Sequence, residues 1–198
     1  MNWTSFFSFT HDPFERDLPP DKRFVTPALD ELHARLEYLV ETRGVGLLLG
    51  TPGSGKSTAL RRLRDSLHPE QVRPIYLHDT AVNIADLYRQ LALELGIEPC
   101  WRRAMTFRAI RGEIERLLAD RKMTVLLVLD EAHRLRTDVL AELPVLSNFG
   151  WDGHARLPIL LAGQMGLTNR LRMASLEALA QRVTVRYRLQ GHDRPTTG

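Results

Sequence analysis

The stretch of sequence with the clearest chemical meaning is residues 50–57, which read Gly-Thr-Pro-Gly-Ser-Gly-Lys-Ser. Glycines let the backbone curl so that successive N–H groups point at one anion, and a following helix dipole adds to the attraction. In this GxxxxGK[ST] pattern the lysine reaches the β- and γ-phosphates of a nucleotide, and the serine hydroxyl ligates Mg²⁺. We therefore predict a site for ATP and Mg²⁺ rather than an ordinary glycine-rich turn. The residues expected to contact the nucleotide are Gly50, Thr51, Pro52, Gly53, Ser54, Gly55, Lys56, Ser57 and Thr58, with Lys56 also catalytic and Ser57 also a metal ligand.

Two acids, Asp130 and Glu131, follow the apolar run 125–129 in the Walker B pattern. A buried strand that ends in carboxylates is costly unless they meet a cation, and Mg²⁺ bound to phosphates supplies one. We expect Asp130 to hold the metal shell and Glu131 to orient and deprotonate the attacking water. The alternative is a pair of exposed acids that open a loop. Residues 130–133 also spell the Asp-Glu-Ala-His box of some helicases, which we interpret as coincidence because those enzymes use two lobes.

Two further polar residues are candidates for the same reaction. Gln164 ends the apolar run 157–163, where a polar side chain beside the γ-phosphate helps to position water. Arg182 ends a predicted helix over 176–182 and is expected to reach a neighbouring subunit's nucleotide as an arginine finger. The alternatives are a solvated glutamine and a surface arginine. Arg170 and Arg172 are weaker candidates for the finger.

The order of predicted elements sets where these residues lie. Apolar residues at helical spacing predict a helix over 27–42, a second after the phosphate loop, a third capped by Asn83 and stopped by Gly96, and a fourth over 105–119. Predicted strands cover 45–49, 73–78, 124–130, 157–163 and 183–189, and the alternation in the last indicates a sheet edge. Strands separated by helices predict a doubly wound, parallel, five-stranded α/β sheet, with the nucleotide at the carboxyl ends of its strands.

Composition limits the protein's class. The 198 residues suffice for one buried α/β domain, and 43% hydrophobic with 26% charged residues is typical of a globular protein. The single Cys100 cannot form an internal disulfide, and no secretory leader or membrane span is recognisable, so we predict a cytoplasmic protein without a membrane partner. A net charge of +3, carried mainly by arginine, permits a nucleic-acid partner.

Taken together, the motifs resemble those of AAA+ ATPases, and more narrowly of the ExeA-like group, which includes a secretion ATPase and the target-selecting ATPases of Mu-like transposition. The matching stretches are Asp12-Pro13-Phe14 and residues 34–38, 50–58, 130–135, 161–164 and 181–183. The resemblance implies a P-loop NTPase domain over 28–190, and the prolines of residues 1–27 predict an extended segment before it that wraps the core. It also implies a helical lid, which we expect to be missing because residues 191–198 stand where it should begin.

The resemblance further implies a slow, oligomer-dependent ATPase that forms a homo-oligomeric ring or filament on duplex DNA, selects target DNA and activates a transposase. Arg102, Arg103 and Arg108 are the candidate DNA contacts, although they could equally form a solvated basic helix face. Phe14 and Phe24 are candidates for covering the adenine. The alternative functions are an ExeA-type ATPase for secretion or envelope assembly and a nucleotide-switched signalling scaffold.

Overall fold

A computed structural model describes residues 27–78, 82–149 and 154–189. The segment 1–26, the tail 191–198 and the proposed adenine contacts Phe14 and Phe24 lie outside these described residues. The elements in chain order are α1 (Pro27–Thr42), β1 (Val45–Gly50), α2 (Lys56–Ser66), β2 (Val72–Leu77), α3 (Ile84–Leu95), α4 (Arg103–Arg121), β3 (Thr124–Leu129), α5 (Thr137–Ser147), β4 (Ile159–Gly163), α6 (Gly166–Arg170), α7 (Glu177–Ala180) and β5 (Val183–Leu189), with 3₁₀ turns at Ala132–Arg134 and Ala174–Leu176.

The five strands form one parallel sheet in the order β2-β3-β4-β1-β5. This arrangement confirms the predicted doubly wound fold, and β5 lies at an edge as its alternating pattern indicated. The other edge strand, β2, contains Pro74, which an edge tolerates because one side of the strand needs no ladder hydrogen bonds. The three central strands are therefore β3, β4 and β1.

Both faces of the sheet are covered, because the central strands are apolar at nearly every position. Leu48, Leu126 and Leu160 point to one face and pack with residues of α1 and α2. Leu127 and Leu161 point to the other face and pack with residues of α3, α4 and α5. All five leucines are fully buried, so the central strands are held in place from both sides.

The helix ends follow from local chemistry. The side chain of Asn83 accepts a hydrogen bond from the Asp86 N–H at 3.0 Å and caps α3, and Gly96 ends that helix in the left-handed conformation (φ 81°). Both predictions are confirmed. None of the described helices is long and apolar enough to span a membrane.

Three elements differ from the sequence prediction. The helix α5 was not predicted, and it contains Pro144, a residue that is unfavourable inside a helix. The strand predicted over 157–163 begins only at Ile159, since Pro158 has no N–H to donate. The helix predicted over 176–182 is a 3₁₀ turn followed by the single short turn of α7, which leaves Arg182 just beyond it.

Candidate nucleotide-binding site

The proposed site residues other than Arg182 lie at the carboxyl ends of β1, β4 and β3. Leu49 of β1 pairs with Gly163 of β4, and Leu161 of β4 pairs with Leu129 of β3. The phosphate loop, Gln164 and the two acids therefore leave three adjacent strands at one edge of the sheet. This is the position where open α/β sheets bind their ligands.

The phosphate loop has the backbone that its glycines were expected to provide. Gly53 and Gly55 both have left-handed conformations, with φ of 77° and 91°. Gly55 immediately precedes α2, so the loop leads directly into a helix N-terminus. The Lys56 ammonium donates hydrogen bonds to the carbonyl oxygens of Gly50 at 3.0 Å and Thr51 at 2.9 Å. Lys56 is thereby held across the loop and is buried.

The residues of the loop fit a nucleotide with its metal ion. A Cβ atom at Gly50 would collide with Ser54 Oγ unless that side chain rotated, so glycine allows the two residues to approach as closely as they do. That Ser54 hydroxyl is buried and has no hydrogen-bond partner among the described residues, which leaves a polar atom available inside the loop. Ser57, in the first turn of α2, is exposed. Mg²⁺ commonly takes one or two protein oxygens together with substrate phosphates, and Ser57 with Asp130 would be those protein ligands.

Asp130 lies just beyond β3 and is almost completely buried. Its Oδ1 accepts a hydrogen bond from the Glu131 N–H at 2.8 Å, and its Oδ2 accepts one from the Tyr76 hydroxyl at 2.7 Å. Burial and the hydrogen bond to Asp130 raise the pKa of Tyr76 well above its usual value. Tyr76 was not among the residues predicted for the site. A usable clue was that Tyr76 and His78 alternate with buried residues at the end of β2, beside the end of β3.

Glu131 has a left-handed backbone (φ 50°) and begins the 3₁₀ turn that follows β3. Its Oε2 lies 3.6 Å from Nδ1 of His133. Arg170 of α6 donates to the His133 carbonyl oxygen at 2.8 Å and to Thr137 Oγ1 at 3.2 Å. Arg170 thus ties the segment after Glu131 to α6, a role within the chain that differs from the arginine-finger function considered for it above.

Gln164 and Arg182 lie in different parts of the sheet. Gln164 is half-buried at the carboxyl end of β4, and its carbonyl oxygen accepts the Leu167 N–H at 3.0 Å. Arg182 precedes β5 at the opposite end, where its carbonyl oxygen accepts the Val45 N–H at 3.1 Å and its guanidinium donates to Ala178 at 2.9 Å. Seven strand residues at about 3.3 Å each place Arg182 about 20 Å from the end of the sheet that carries the phosphate loop. Arg182 is not part of its own subunit's site.

The basic residues considered for DNA binding lie around the start of α4, a helix that packs on the face of the sheet opposite α2. Trp101 has 85% of its surface exposed, and the Arg102 guanidinium lies 4.4 Å from the centre of its ring system. Arg103 and Arg108 are also exposed. Neither side chain forms a hydrogen bond or close ion pair with another residue in the described part of the chain. These cations are thus accessible to a partner.

The comparison with known families decides the classification. The sequence profile of the AAA domain family matches residues 39–171, about two thirds of the chain. The chain belongs to this family. The match includes the phosphate loop, both acids and Gln164, so the predicted membership is confirmed.

Two curated relatives place this AAA domain within the ExeA-like group. It is 34% identical over 191 residues to General secretion pathway protein A of Aeromonas hydrophila, across 94% of this chain. It is 29% identical over 132 residues to the ATP-dependent target DNA activator B of Escherichia phage Mu, across 66% of this chain. The chain spans 34% and 40% of the lengths of these two proteins, respectively.

Solved structures agree with the fold. The ADP form of the ORC2 protein of Aeropyrum pernix has a TM-score of 0.67 at 18% identity, covering 89% of this chain and 51% of that one. Cdc6p of Pyrobaculum aerophilum has a TM-score of 0.59 at 25% identity, covering 93% of this chain and 48% of that one. The AAA domain described here therefore has the P-loop fold of these proteins.

Proposed function

We propose that this AAA domain binds ATP with Mg²⁺ and hydrolyses it to ADP and phosphate. The observation that carries the proposal is the convergence of the phosphate loop, Asp130 and Glu131 at the ends of three adjacent strands. The loop N–H groups and Lys56 would hold the phosphates, and Ser57 and Asp130 would hold the metal ion. The bound ion neutralises charge on the phosphate oxygens. Glu131 would take a proton from water, with Gln164 helping to orient that water.

Full hydrolytic activity on this proposal requires a second copy of the chain. Arg182 lies at the end of the sheet opposite the phosphate loop, so it can complete only the site of a neighbouring subunit. An arginine supplied from another subunit stabilises the charge that develops during phosphoryl transfer. The proposed enzyme is therefore a homo-oligomer, a ring or helical filament, whose isolated subunits turn over slowly.

We further propose that the oligomer forms on duplex DNA in the cytoplasm, selects target DNA and activates a partner transposase. Similarity to the target DNA activator of phage Mu supports this role. The exposed cations Arg102, Arg103 and Arg108 support it as well, because sequence-independent DNA binding rests on contacts from arginine and lysine to phosphates.

A role in secretion is the second candidate. The observation that favours it is the match to General secretion pathway protein A, which is more identical and extends over more of this chain than the match to the phage protein. Both candidates use the same ATP site. They differ in whether ATP drives assembly on DNA.

DNA binding with and without a non-hydrolysable ATP analogue separates the two candidates. Anisotropy of a labelled random duplex, read across a salt series, should show ATP-dependent binding, and electron microscopy should show filaments or rings. Arg103→Ala should weaken binding at every sequence and reduce the slope of log affinity against log salt by about one, because one phosphate contact is lost.

Arg116→Ala is the matched control. It removes one positive charge from the same helix, but from a side chain that is already paired with Glu113 at 2.7 Å. Its salt slope should equal that of the unaltered protein. Hydrolysis of ATP without ATP-dependent DNA binding would reject the transposition role and leave the secretion role standing.

A further inference from the structure

The Asp130 carboxylate is held by two hydrogen bonds, one from the adjacent backbone and one from a neighbouring strand. Glu131 supplies its backbone N–H to Oδ1 from the segment after β3, and Tyr76 supplies its hydroxyl to Oδ2 from β2. The Asp130 side chain is only 5% exposed. With one donor on each oxygen, rotation of the carboxylate about its Cβ–Cγ bond is opposed from both sides.

The two donors are not equivalent. The Glu131 N–H belongs to the backbone next to Asp130, so it moves with that residue. Tyr76 belongs to a neighbouring strand whose register against β3 is fixed, with Tyr76 opposite Val128. The hydrogen bond from the tyrosine hydroxyl therefore fixes the orientation of the Asp130 carboxylate relative to the sheet.

Tyr76 is supported at the surface by His78. The two rings are nearly parallel, 12° apart in plane with centroids 6.3 Å apart, and His78 Nδ1 lies 3.5 Å from the tyrosine hydroxyl oxygen. His78 Nδ1 is itself 4.0 Å from Asp130 Oδ2, beyond hydrogen-bond distance, so the direct contact on that oxygen comes from Tyr76. About half of the Tyr76 surface remains exposed, which makes replacement by phenylalanine a mild change for the core.

We propose that Tyr76 is a positioning residue for the metal-binding carboxylate and thereby sets the Mg²⁺ requirement of the nucleotide site. This inference rests on the proposed ATP function and adds a residue to it. Partners that orient a metal-binding carboxylate commonly alter metal affinity when they are removed. Tyr76 contributes one donor, and the phosphates supply other metal ligands, so its loss affects the bound metal more than the bound nucleotide.

The test compares Tyr76→Phe with Tyr88→Phe in the full chain. Tyr88 is the matched control because its hydroxyl also donates to a carboxylate, Glu142 at 2.6 Å, within the packing of α3 against α5 and away from the phosphate loop. Mn²⁺ binding is followed by electron paramagnetic resonance at a fixed concentration of a non-hydrolysable ATP analogue. Binding of the same analogue is measured separately in EDTA.

Tyr76→Phe should raise the Mn²⁺ concentration needed for half-saturation about tenfold, the lower end of the effect of losing such a partner, while leaving affinity in EDTA unchanged. Tyr88→Phe should leave both quantities unchanged. An unaltered or lowered Mn²⁺ requirement in Tyr76→Phe, with nucleotide still bound, would overturn the inference alone, and so would an equal rise in Tyr88→Phe. If the unaltered protein binds no analogue with or without metal, the ATP function fails and the inference fails with it.

Discussion

Gly163→Ala tests whether the end of β4 sets the position of Glu131, the proposed catalytic base. A Cβ atom at residue 163 would lie 3.1 Å from the His133 backbone nitrogen and 3.4 Å from His133 Nδ1. Ordinary contacts of this kind begin near 3.4 Å, so the segment that follows Glu131 must move by about 0.3 Å. That segment is restrained by the bond from Arg170 to the His133 carbonyl oxygen, and it cannot simply swing away.

The size of the effect follows from that displacement. A misplacement of about 1 Å in a reacting group can cost about a hundredfold in rate, so 0.3 Å on the same logarithmic scale costs about fourfold. Overpacking of this kind also lowers the free energy of unfolding by about 1 kcal/mol. The phosphate loop is not displaced, so the affinity for ATP should not change.

The assay is steady-state ATP hydrolysis at saturating nucleotide, with affinity measured separately by a fluorescent ATP analogue. Gly112→Ala is the control, because a Cβ there meets nothing within 4 Å in the middle of α4. It should raise the free energy of unfolding by about 0.5–1 kcal/mol and leave hydrolysis unchanged. If the Gly163→Ala variant hydrolyses ATP at the normal rate, or loses affinity for ATP instead, the end of β4 does not set the position of Glu131.

Four other substitutions test the remaining assignments. Lys56→Ala should abolish ATP binding measured by calorimetry, and retained affinity would exclude Lys56 as a phosphate contact. Glu131→Gln should bind ATP normally but hydrolyse it at least about a hundredfold more slowly, and normal turnover in a phosphate-release assay would show that Glu131 is not the base. Arg182→Ala alone should lose the turnover that depends on a neighbour, and mixing it with Glu131→Gln subunits, which keep Arg182, should restore part of that turnover, whereas an unchanged rate for Arg182→Ala alone would show that Arg182 is an ordinary surface arginine. Asn83→Ala should lower the free energy of unfolding in urea by about 1 kcal/mol through loss of the α3 cap, and an unchanged value would mean that the cap contributes nothing.

The sequence predicts the sheet well because its central strands are unusually apolar. Residues 125–129 and 159–163 are buried on both faces of the sheet, so each stretch is a continuous hydrophobic run that predicts a central strand of a parallel sheet. Asn83 and Gly96 mark the ends of α3 by types of residue that favour those positions. By contrast α5 carries Pro144, a residue that weakens a helical pattern locally and is tolerated here by packing.

Side-chain contacts between residues of different elements are harder to predict from sequence than the elements themselves. The bond between Tyr76 and Asp130 depends on the register of β2 against β3, which local sequence does not encode. The motif-based assignment of Asp130 could therefore be made from sequence, while its partner could not. The same holds for Arg170, whose hydrogen bond to the His133 carbonyl oxygen depends on how α6 packs after β4.

The strand β4 lies between the strand that leads into the phosphate loop and the strand that leads into Asp130. Neighbouring strands are about 4.8 Å apart, so the width of β4 separates the phosphate loop from Asp130 by about 10 Å. Any substitution along Ile159–Gly163 that changes the local strand spacing or twist therefore changes the distance between the phosphate loop and Asp130, even when the substituted side chain touches no ligand. The buried side chains of this strand therefore also affect the proposed reaction, because they set the relative position of the groups that carry it.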